Sequence, residues 1–372
     1  MFKLNIITKP QSKNNWLQNY MESNAKIVDA KPLKKSKYTS IIKLEKILAD
    51  ATQKNTGKIK VTGKDVKVIS FEESIEKNQK KIKQILLAEE QPKDQFEAKI
   101  NSEFSSGNVI IIGPKSEGKI TIEYEPPTNS ICKNIYIIES KNHLTITQKI
   151  KGKKGFCFNE TIFLEEESKT SIMKINENTG EGITNQQIIL QSNSEAENIN
   201  TWFEGTYVRA KTSSVLEGNG ASIRDYVLLI GKEKEHFDLN YISVHRGEGC
   251  YSHAIFKAAL MDNSKNVFDG MIKINPTGTK TNALLECHSM ILGENASSNQ
   301  IPGLEIKTDD VKATHSATVA RINDDELFYL EARGISKEQA KKMIITGFLE
   351  NIVFKINENQ REELQKNITK KV

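Results

Sequence analysis

Between about residues 105 and 315 the chain is cut into short runs of β-branched and aromatic residues, separated by Gly, Asn, Ser and Lys. Asn108–Ile112, Lys119–Tyr124, Asn134–Glu139, Leu144–Ile150, Gly155–Leu164 and Asn185–Gln191 open a series that continues to Gly303–Lys307. Many of these runs alternate apolar with polar, as in Ile-Thr-Ile-Glu-Tyr at 120–124 and Asp-Leu-Asn-Tyr-Ile-Ser-Val at 238–244. A period of two predicts strands. No helical pattern lies between them, which excludes α/β folds, where each parallel pair needs a crossover helix. A sandwich, barrel, propeller or solenoid remains. Tight-hairpin signals are weak, limited to Gly218-Asn-Gly220 and an Asp269-Gly270 inside a strand-like run. A solenoid needs no hairpins, because each strand pairs with the coil above it. The pattern favours a solenoid. It shows no crisp repeat at one period, so a pair of sandwiches stays open.

The flanks differ. Residues 1–104 read as a mixed lobe, with helices expected at Ser12–Glu22, Lys43–Ala51 and Ser74–Glu90, and a strand or hairpin at Lys58–Ile69 broken at Gly63. Residues 105–320 form the β core. Residues 321–372 turn helical. Asn323 with Asp324, Asp325 and Glu326 makes an N-cap and an acidic first turn. Leu327–Arg333 stops at Gly334, and Ser336 with Gln339 predicts a capping box. The next helix carries Ala340, Met343, Ile344, Phe348, Leu349, Ile352 and Val353, a stripe too wide for two small helices to bury alone. It must cover the end of the β core or a partner.

The length of 372 residues suits two or three domains or one elongated core with smaller ends. With 37% hydrophobic and 27% charged residues the chain is globular. The net charge of +5 is uneven: the first hundred residues hold 21 lysines against 12 acidic residues. The densest run, Lys31–Lys37, lacks interleaved Arg and aromatics apart from Tyr38, so a solvated basic face is expected rather than a nucleic-acid site. No apolar run reaches a membrane span, and the start lacks a signal-peptide pattern, so a cytoplasmic protein is expected. Cys132, Cys157, Cys250 and Cys287 form no C-x-x-C, which disfavours a disulfide framework or a zinc ribbon.

Gly113–Ile120 nearly spells a phosphate-binding loop. However, Ile120 stands where Ser or Thr would bind Mg²⁺, and an alternating strand follows where a helix is needed. A turn between strands is expected, and no nucleotide on this chain. His236, His245 and His253 recur at spacings of nine and eight, which suits structural histidines as well as ligands. Asp309-Asp310 and Asp324-Asp325 mark a turn and a helix start better than a glycosidase pair. Cys287 lies in the apolar-rich run Asn282–Leu292 beside His288. On a strand these neighbours point to opposite faces and do not chelate one ion. Pattern alone favours a buried core thiol.

Pro302–Ile335 (PGLEIKTDDVKATHSATVARINDDELFYLEARGI) resembles the C-terminal signature of the SufB/SufD family of iron–sulfur cluster assembly proteins. The likeness rests on Leu304-Glu305-Ile306, Asp309-Asp310-Val311-Lys312, His315, Ala317-Thr318, Leu327-Phe328-Tyr329-Leu330 and Arg333-Gly334. Phe268-Asp-Gly270, Asn275-Pro276 and Asn282–Leu292 add to it, and Lys37-Tyr38-Thr39 resembles a SufD-like element weakly. The resemblance covers about residues 105–350. It implies a mainly β fold: a right-handed parallel β-helix between a mixed α/β N-terminal lobe and a C-terminal helical domain. It implies a non-catalytic scaffold or assembly subunit, working in a pair with a paralogue or a second copy. A SufC-type ABC ATPase would dock on the C-terminal helices, at Leu327, Phe328, Tyr329, Met343 and Phe348. A sulfur donor is a further implied partner, and iron or an Fe–S cluster the transient cargo.

Length and the Asp-Asp-Val-Lys and Leu-Phe-Tyr-Leu runs look SufD-like, whereas Glu286–Gly293 looks like the SufB segment that carries the cluster-building cysteine. The resemblance therefore implies a site at Cys287 and His315, meeting across a dimer interface. Ala313 and Ser316 depart from the family pattern, and the missing carboxylate would have to come from Glu286 or Glu305. The competing expectation is a SufD-type companion that pairs with a separate SufB and builds no cluster itself. A carbohydrate-active solenoid would need clustered catalytic carboxylates on one face, and a purely structural solenoid leaves the C-terminal likeness unexplained.

Overall fold

The structure is a computed structural model, described for residues 15–30, 40–51, 53 and 55–372. The basic run Lys31–Lys37, the Lys37-Tyr38-Thr39 element and the first residues of the expected Ser12–Glu22 helix lie outside the described residues. The N-terminal lobe contains α1 (Asn15–Ala30), α2 (Ile41–Asp50), β1 (Lys58–Thr62), β2 (Val66–Ser70), α3 (Phe71–Lys77), α4 (Gln79–Ala88) and α5 (Gln95–Ser102). The core is a parallel β-solenoid of about eight turns. One sheet, sheet A, stacks β4 (Glu117–Glu125), β6 (His143–Ile150), β8 (Lys169–Glu177), β10 (Glu195–Glu204), β12 (Ser222–Gly231), β14 (Tyr251–Leu260), β16 (Thr281–Ile291) and β18 (Val311–Arg321). The opposite sheet B stacks β3 (Asn108–Ile112), β5 (Ile131–Ile138), β7 (Phe156–Leu164), β9 (Glu181–Leu190), β11 (Tyr207–Leu216), β13 (His236–His245), β15 (Lys265–Ile274) and β17 (Ser297–Ile306). The chain ends in α6 (Asp324–Glu331), α7 (Lys337–Val353) and α8 (Glu358–Lys371). Among the described residues no helix is long and apolar enough to cross a membrane.

The ladders show why no single repeat is legible in the sequence. His143 stands beside Lys169, and Lys169 beside Glu195, 26 residues apart each time. Further along, Ser222 pairs with Tyr251 at 29 and Tyr251 with Asn282 at 31. The coil widens toward its C-terminal end. The turns carry the regularity instead. Lys115, Lys141, Glu167 and Asn193 all take positive φ, each 26 residues after the last. Side-chain amides brace the turns on both sides of the coil: Asn142 Oδ1 accepts from Ser116 N in this row, and Asn178 Oδ1 from Gly152 N at 2.9 Å in the opposite row. These αL positions are tolerated because the ladder above and below fixes them.

Strand alternation gives each sheet a lumen face and an outer face. The lumen is filled by stacked side chains, apolar near the turns and polar in mid-solenoid. There Glu160 pairs with Lys174, and Asp225 accepts from Asn198, Ser214 and Tyr241 at 2.8 Å each. Both outer faces are covered over much of their length. The N-terminal lobe packs on sheet B, with Leu17, Phe71, Ile82 and Phe96 against Ile135, Phe163, Ile183 and Val215. Ile345, Leu349, Ile352 and Leu364 of the C-terminal helices pack on Ile199, Leu228, Ile255 and Ala259 of sheet A. The wide apolar stripe of α7 thus covers a sheet face rather than the end of the solenoid.

Other expectations are corrected in detail. Lys58–Ile69 is not a hairpin: β1 joins sheet A beside β4, and β2 joins sheet B beside β3, both antiparallel. The Ser74–Glu90 helix breaks at Asn78 into α3 and α4. α5 and α8 were not legible. α5 is short and follows an Asp94 cap, and α8 buries only Gln360, Leu364 and Ile368. The capping box at Ser336 and Gln339 and the positive φ of Gly334 match expectation.

The lobe is fastened by an acidic strap. Along residues 89–97, Glu89 binds Lys133, Glu90 binds Arg246 and Lys273, Asp94 binds Arg209, and Glu97 binds Lys211. Glu89 is fully engaged: Lys133 Nζ at 2.6 Å, Tyr20 Oη at 2.6 Å and Thr161 Oγ1 at 2.5 Å all reach it. Lys133 is wholly buried, and burial pulls its ammonium below the usual range despite Glu89. Removing one partner strands a buried charge. Glu89→Gln is expected to lower unfolding free energy by about 3–5 kcal/mol in urea titration, while Glu89→Leu with Lys133→Met recovers only the part due to the stranded ammonium, because Tyr20 Oη and Thr161 Oγ1 still lose their acceptor.

His245 lies inside the lumen, its Nε2 2.9 Å from Ser252 Oγ, and burial drives its pKa down to about 4. The folded form resists protonation while the unfolded chain accepts a proton near the ordinary value. Stability is therefore expected to fall as pH drops from about 6.5 to about 4, with no contribution above that window. His245→Gln is expected to flatten this limb in pH-dependent thermal unfolding.

Candidate functional site

The C-terminal end of the solenoid is open. β17 is the last strand of sheet B and β18 the last of sheet A, each paired on one side only among the described residues. Leu304, Ile306 and Val319 occupy lumen-facing register positions in this final rung, yet they are 37%, 42% and 48% exposed. An identical position one rung earlier, Ile274 below Ile306, is fully buried. The exposure follows from the missing successor rung, since among the described residues no strand lies above these side chains.

Cys287 lies in β16, one rung inside this mouth, and faces the lumen. Burial pushes its thiol up to about 12, and the Glu286 carboxylate adds to the rise. Its ladder neighbours are Phe256 below and Ala317 above. His315 stands above Leu285, so it shares the lumen face with Cys287, offset by two residues and one rung, and it is exposed. The expectation that Cys287 and His288 point apart is correct: Cys287 is buried in the lumen while His288 lies half-buried outside.

The two carboxylates do not join them. Glu286 is on the outer face of sheet A, where Oε1 meets His253 Nε2 at 2.6 Å and Oε2 meets His288 Nε2 at 3.4 Å. Burial pulls its carboxyl up, but the two imidazoles together hold it below the usual value. Glu305 is on the outer face of sheet B, paired with Lys307 at 2.8 Å, which lowers its pKa. Strand alternation puts neither carboxylate on the lumen face that carries the thiol of the same chain. Among the described residues no group of three His, Cys, Asp or Glu is placed to hold a metal ion. His253 as a partner of Glu286 was missed. Its only sequence signal was a spacing of eight from His245, which instead lies in the lumen.

Two residues after β18, the chain enters α6, capped by Asn323. Phe328, Tyr329 and Met343 are 71%, 58% and 54% exposed, joined by Phe354 at 63%. The Arg333 guanidinium lies over the Tyr329 ring at 3.7 Å. Leu327 is buried, so it anchors α6 rather than offering a contact. Phe348 is only partly available: its carbonyl accepts from Lys257 Nζ at 2.5 Å and its ring lies against that ammonium.

The decoys resolve. Gly113–Ser116 is a turn between β3 and β4 with no helix behind it. Cys132, Cys157 and Cys250 are buried, and burial raises each thiol above its usual range. A groove of about 530 Å³ lies between the start of α8 and sheet A. It holds Glu195 and Glu197, but Lys169 binds the first at 2.8 Å and Ser171 Oγ and Asn357 N bind the second. That is no pair of free catalytic carboxylates.

Residues 109–348 match the family model described as SUF system FeS cluster assembly, SufBD core domain. The chain is 34% identical over 144 residues to the iron-sulfur cluster assembly protein SufD of Escherichia coli, covering 39% of this chain and 34% of that one. It is 31% identical over 174 residues to SufD of Bacillus subtilis, covering 46% of this chain and 36% of the relative. It is also 24% identical over 212 residues to SufB of the same organism, covering 56% and 42%. The matched stretches thus span well under half of each relative's own length. With the family model spanning well over half of the chain, and a parallel β-solenoid beneath it, the chain belongs to the SufB/SufD family of iron–sulfur cluster assembly.

Proposed function

We propose that this chain is a non-catalytic scaffold subunit whose open solenoid end is the working surface. The observation that carries this reading is the final rung: two unpaired strand edges and exposed lumen positions Leu304, Ile306 and Val319, beside Cys287 and His315. An unpaired edge with apolar side chains recruits another strand or sheet. A second solenoid subunit, a copy of this chain or a paralogue, covers it. In a two-fold pair the same patch meets itself, and each Cys287 and His315 is presented twice. Thiolate and imidazole both bind iron, which is cargo here rather than a resident cofactor. A SufC-type ATPase docks on Phe328, Tyr329 and Met343, and a separate donor supplies sulfur. The short link from β18 to α6 supports mechanical coupling between the docked ATPase and the mouth. The second reading, a SufD-type companion, is favoured by the inaccessibility of Cys287, whose thiol stays protonated at neutral pH.

Anaerobic reconstitution with iron and sulfide separates the two. On the scaffold reading wild type retains both, and Cys287→Ala loses most of each. Equal loading, or none in either protein, makes Cys287 a core thiol and the chain a companion.

The two surfaces are expected to fail independently. Ile306→Lys with Val319→Lys should turn a sedimenting pair into monomers while capture of a SufC-type ATPase persists. Phe328→Ser with Met343→Ser should do the reverse. Wild type that sediments as a monomer until a SufB-like chain is added assigns the mouth to a paralogue.

A further inference from the structure

Cys287 has no exposed surface, although it lies only one rung from the open end. What covers it differs below and above. Below, its ladder neighbour is Phe256 of β14. Phe256 stacks on Phe268 of β15 across the lumen, with ring centroids 4.1 Å apart and planes 16° from parallel. No spare volume remains at this level: a Cβ on Gly270 would stand 2.8 Å from both Leu285 Cδ2 and Phe268 Cε1. The polar network around Asp225 ends at Tyr241, and the residue above Tyr241 is Gly270. The aromatic pair therefore floors the Cys287 site and divides it from that network. β14 and β15 are each paired with a strand on both sides, so the floor opens only with much of the ladder.

Above, the cover is a single strand. Ala317 of β18 stands over Cys287. β18 is paired on one side only among the described residues. Val311 and Ala313 at its start pack on the lumen core. From Thr314 to Arg321 every residue is exposed. The far end is held by Ile322 N, which donates to the Ile291 carbonyl at 3.0 Å, and by two 3.4 Å contacts of Arg321 with the Gly293 and Glu294 carbonyls. α6 begins two residues after it. A strand packed at one end, lightly held at the other and open along one edge opens at lower cost than strands paired on both sides.

We propose that β18 is a lid on Cys287, hinged at Val311–Ala313 and lifted from its α6 end, and that sulfur and iron reach the thiol only past this strand. This rests on Cys287 being the cargo-handling thiol. Lifting uncovers the thiol and carries His315 away on the same strand, so access and separation of the two ligands are one movement. A subunit paired along the free edge of β18 holds the lid down. A pull on α6 raises it.

The lid is tested in the full chain without iron. The readouts are iodoacetamide alkylation of Cys287 at one fixed pH, mapped by mass spectrometry, and amide hydrogen exchange of β18. Thr318 is exposed on the outer face beside His288, away from the thiol. Thr318→Gly should speed both alkylation and exchange by about fivefold, because glycine weakens a strand. Thr318→Val keeps the β-branch and should leave both at the wild-type rate. Phe268→Leu loosens the floor and should leave alkylation unchanged. Alkylation that Phe268→Leu speeds and Thr318→Gly does not would put the entrance through the lumen and overturn the lid. Exchange of β18 that rises in Thr318→Gly with no change in alkylation overturns it too. If wild type and Cys287→Ala both stay empty on reconstitution, the cargo reading fails, while the two rates still decide whether β18 covers this thiol.

Discussion

In-register stacking of parallel strands is the constraint on which everything else in this molecule depends. Each rung satisfies the backbone of the one below, and each side chain stands directly above its counterpart. A residue's face is then fixed by the column it joins. Cys287 joins the lumen column of Val227 and Phe256, and no local rotation can bring it to the outer face where Glu286 lies. The same rule makes the last rung unlike the rest. Ile274 is sealed by Ile306, and among the described residues no strand seals Ile306. The open mouth is a consequence of stopping the stack.

The other surfaces of the stack are covered, and by different means. Sheet B carries Lys133, Arg209, Lys211 and Lys273 on its outer face, so the N-terminal lobe meets it with carboxylates along one nine-residue strap. Those charges are expensive to bury, and each works only with its partner present. Sheet A carries Ile199, Leu228 and Ile255 outside, and α7 meets it with aliphatic residues. The antiparallel strands β1 and β2 pair with the first strands of the two sheets. Among the described residues the C-terminal mouth and the aromatic rim of α6 and α7 are left unsealed. On the proposed reading these are the surfaces at which this chain meets others.

Much of the fold was legible because strand alternation survives burial on both faces. Many short strands without hairpin signals or intervening helices favoured a solenoid, and the family resemblance settled it over a pair of sandwiches. Its period was not legible, because the coil grows from 26 to 32 residues and the turns keep their shape rather than their sequence. Lys115 and Glu167 occupy αL turns where Gly or Asn would be expected. The C-terminal helix starts were legible from their caps. α8 was not, because its buried residues include Gln360, which reads as polar yet donates to the Ile146 carbonyl. At the site, the opposed faces of Cys287 and His288 followed from period two alone. The lumen neighbours did not, since Phe256 stands beside Cys287 through ladder register 31 residues away and meets Phe268 only across the lumen.

A cargo-handling site differs from a resident one in what it must not do. Tetrahedral iron held by four protein ligands in a preformed cage is released slowly. This chain brings at most one thiol and one imidazole to the same mouth, on one face but a rung apart, and turns both nearby carboxylates away. On the proposed reading that incompleteness is functional. The remaining ligands come from a facing subunit or from the cargo's own sulfide, so the full set exists only while the two solenoids are in register. Any movement at the interface then divides the ligands between two chains and frees what they held. The high pKa of Cys287 acts in the same direction: without a metal or a donor beside it, the thiol keeps its proton and is a poor nucleophile. The burial that makes Cys287 look like an ordinary core residue is thus also what a transient sulfur ligand needs between loadings.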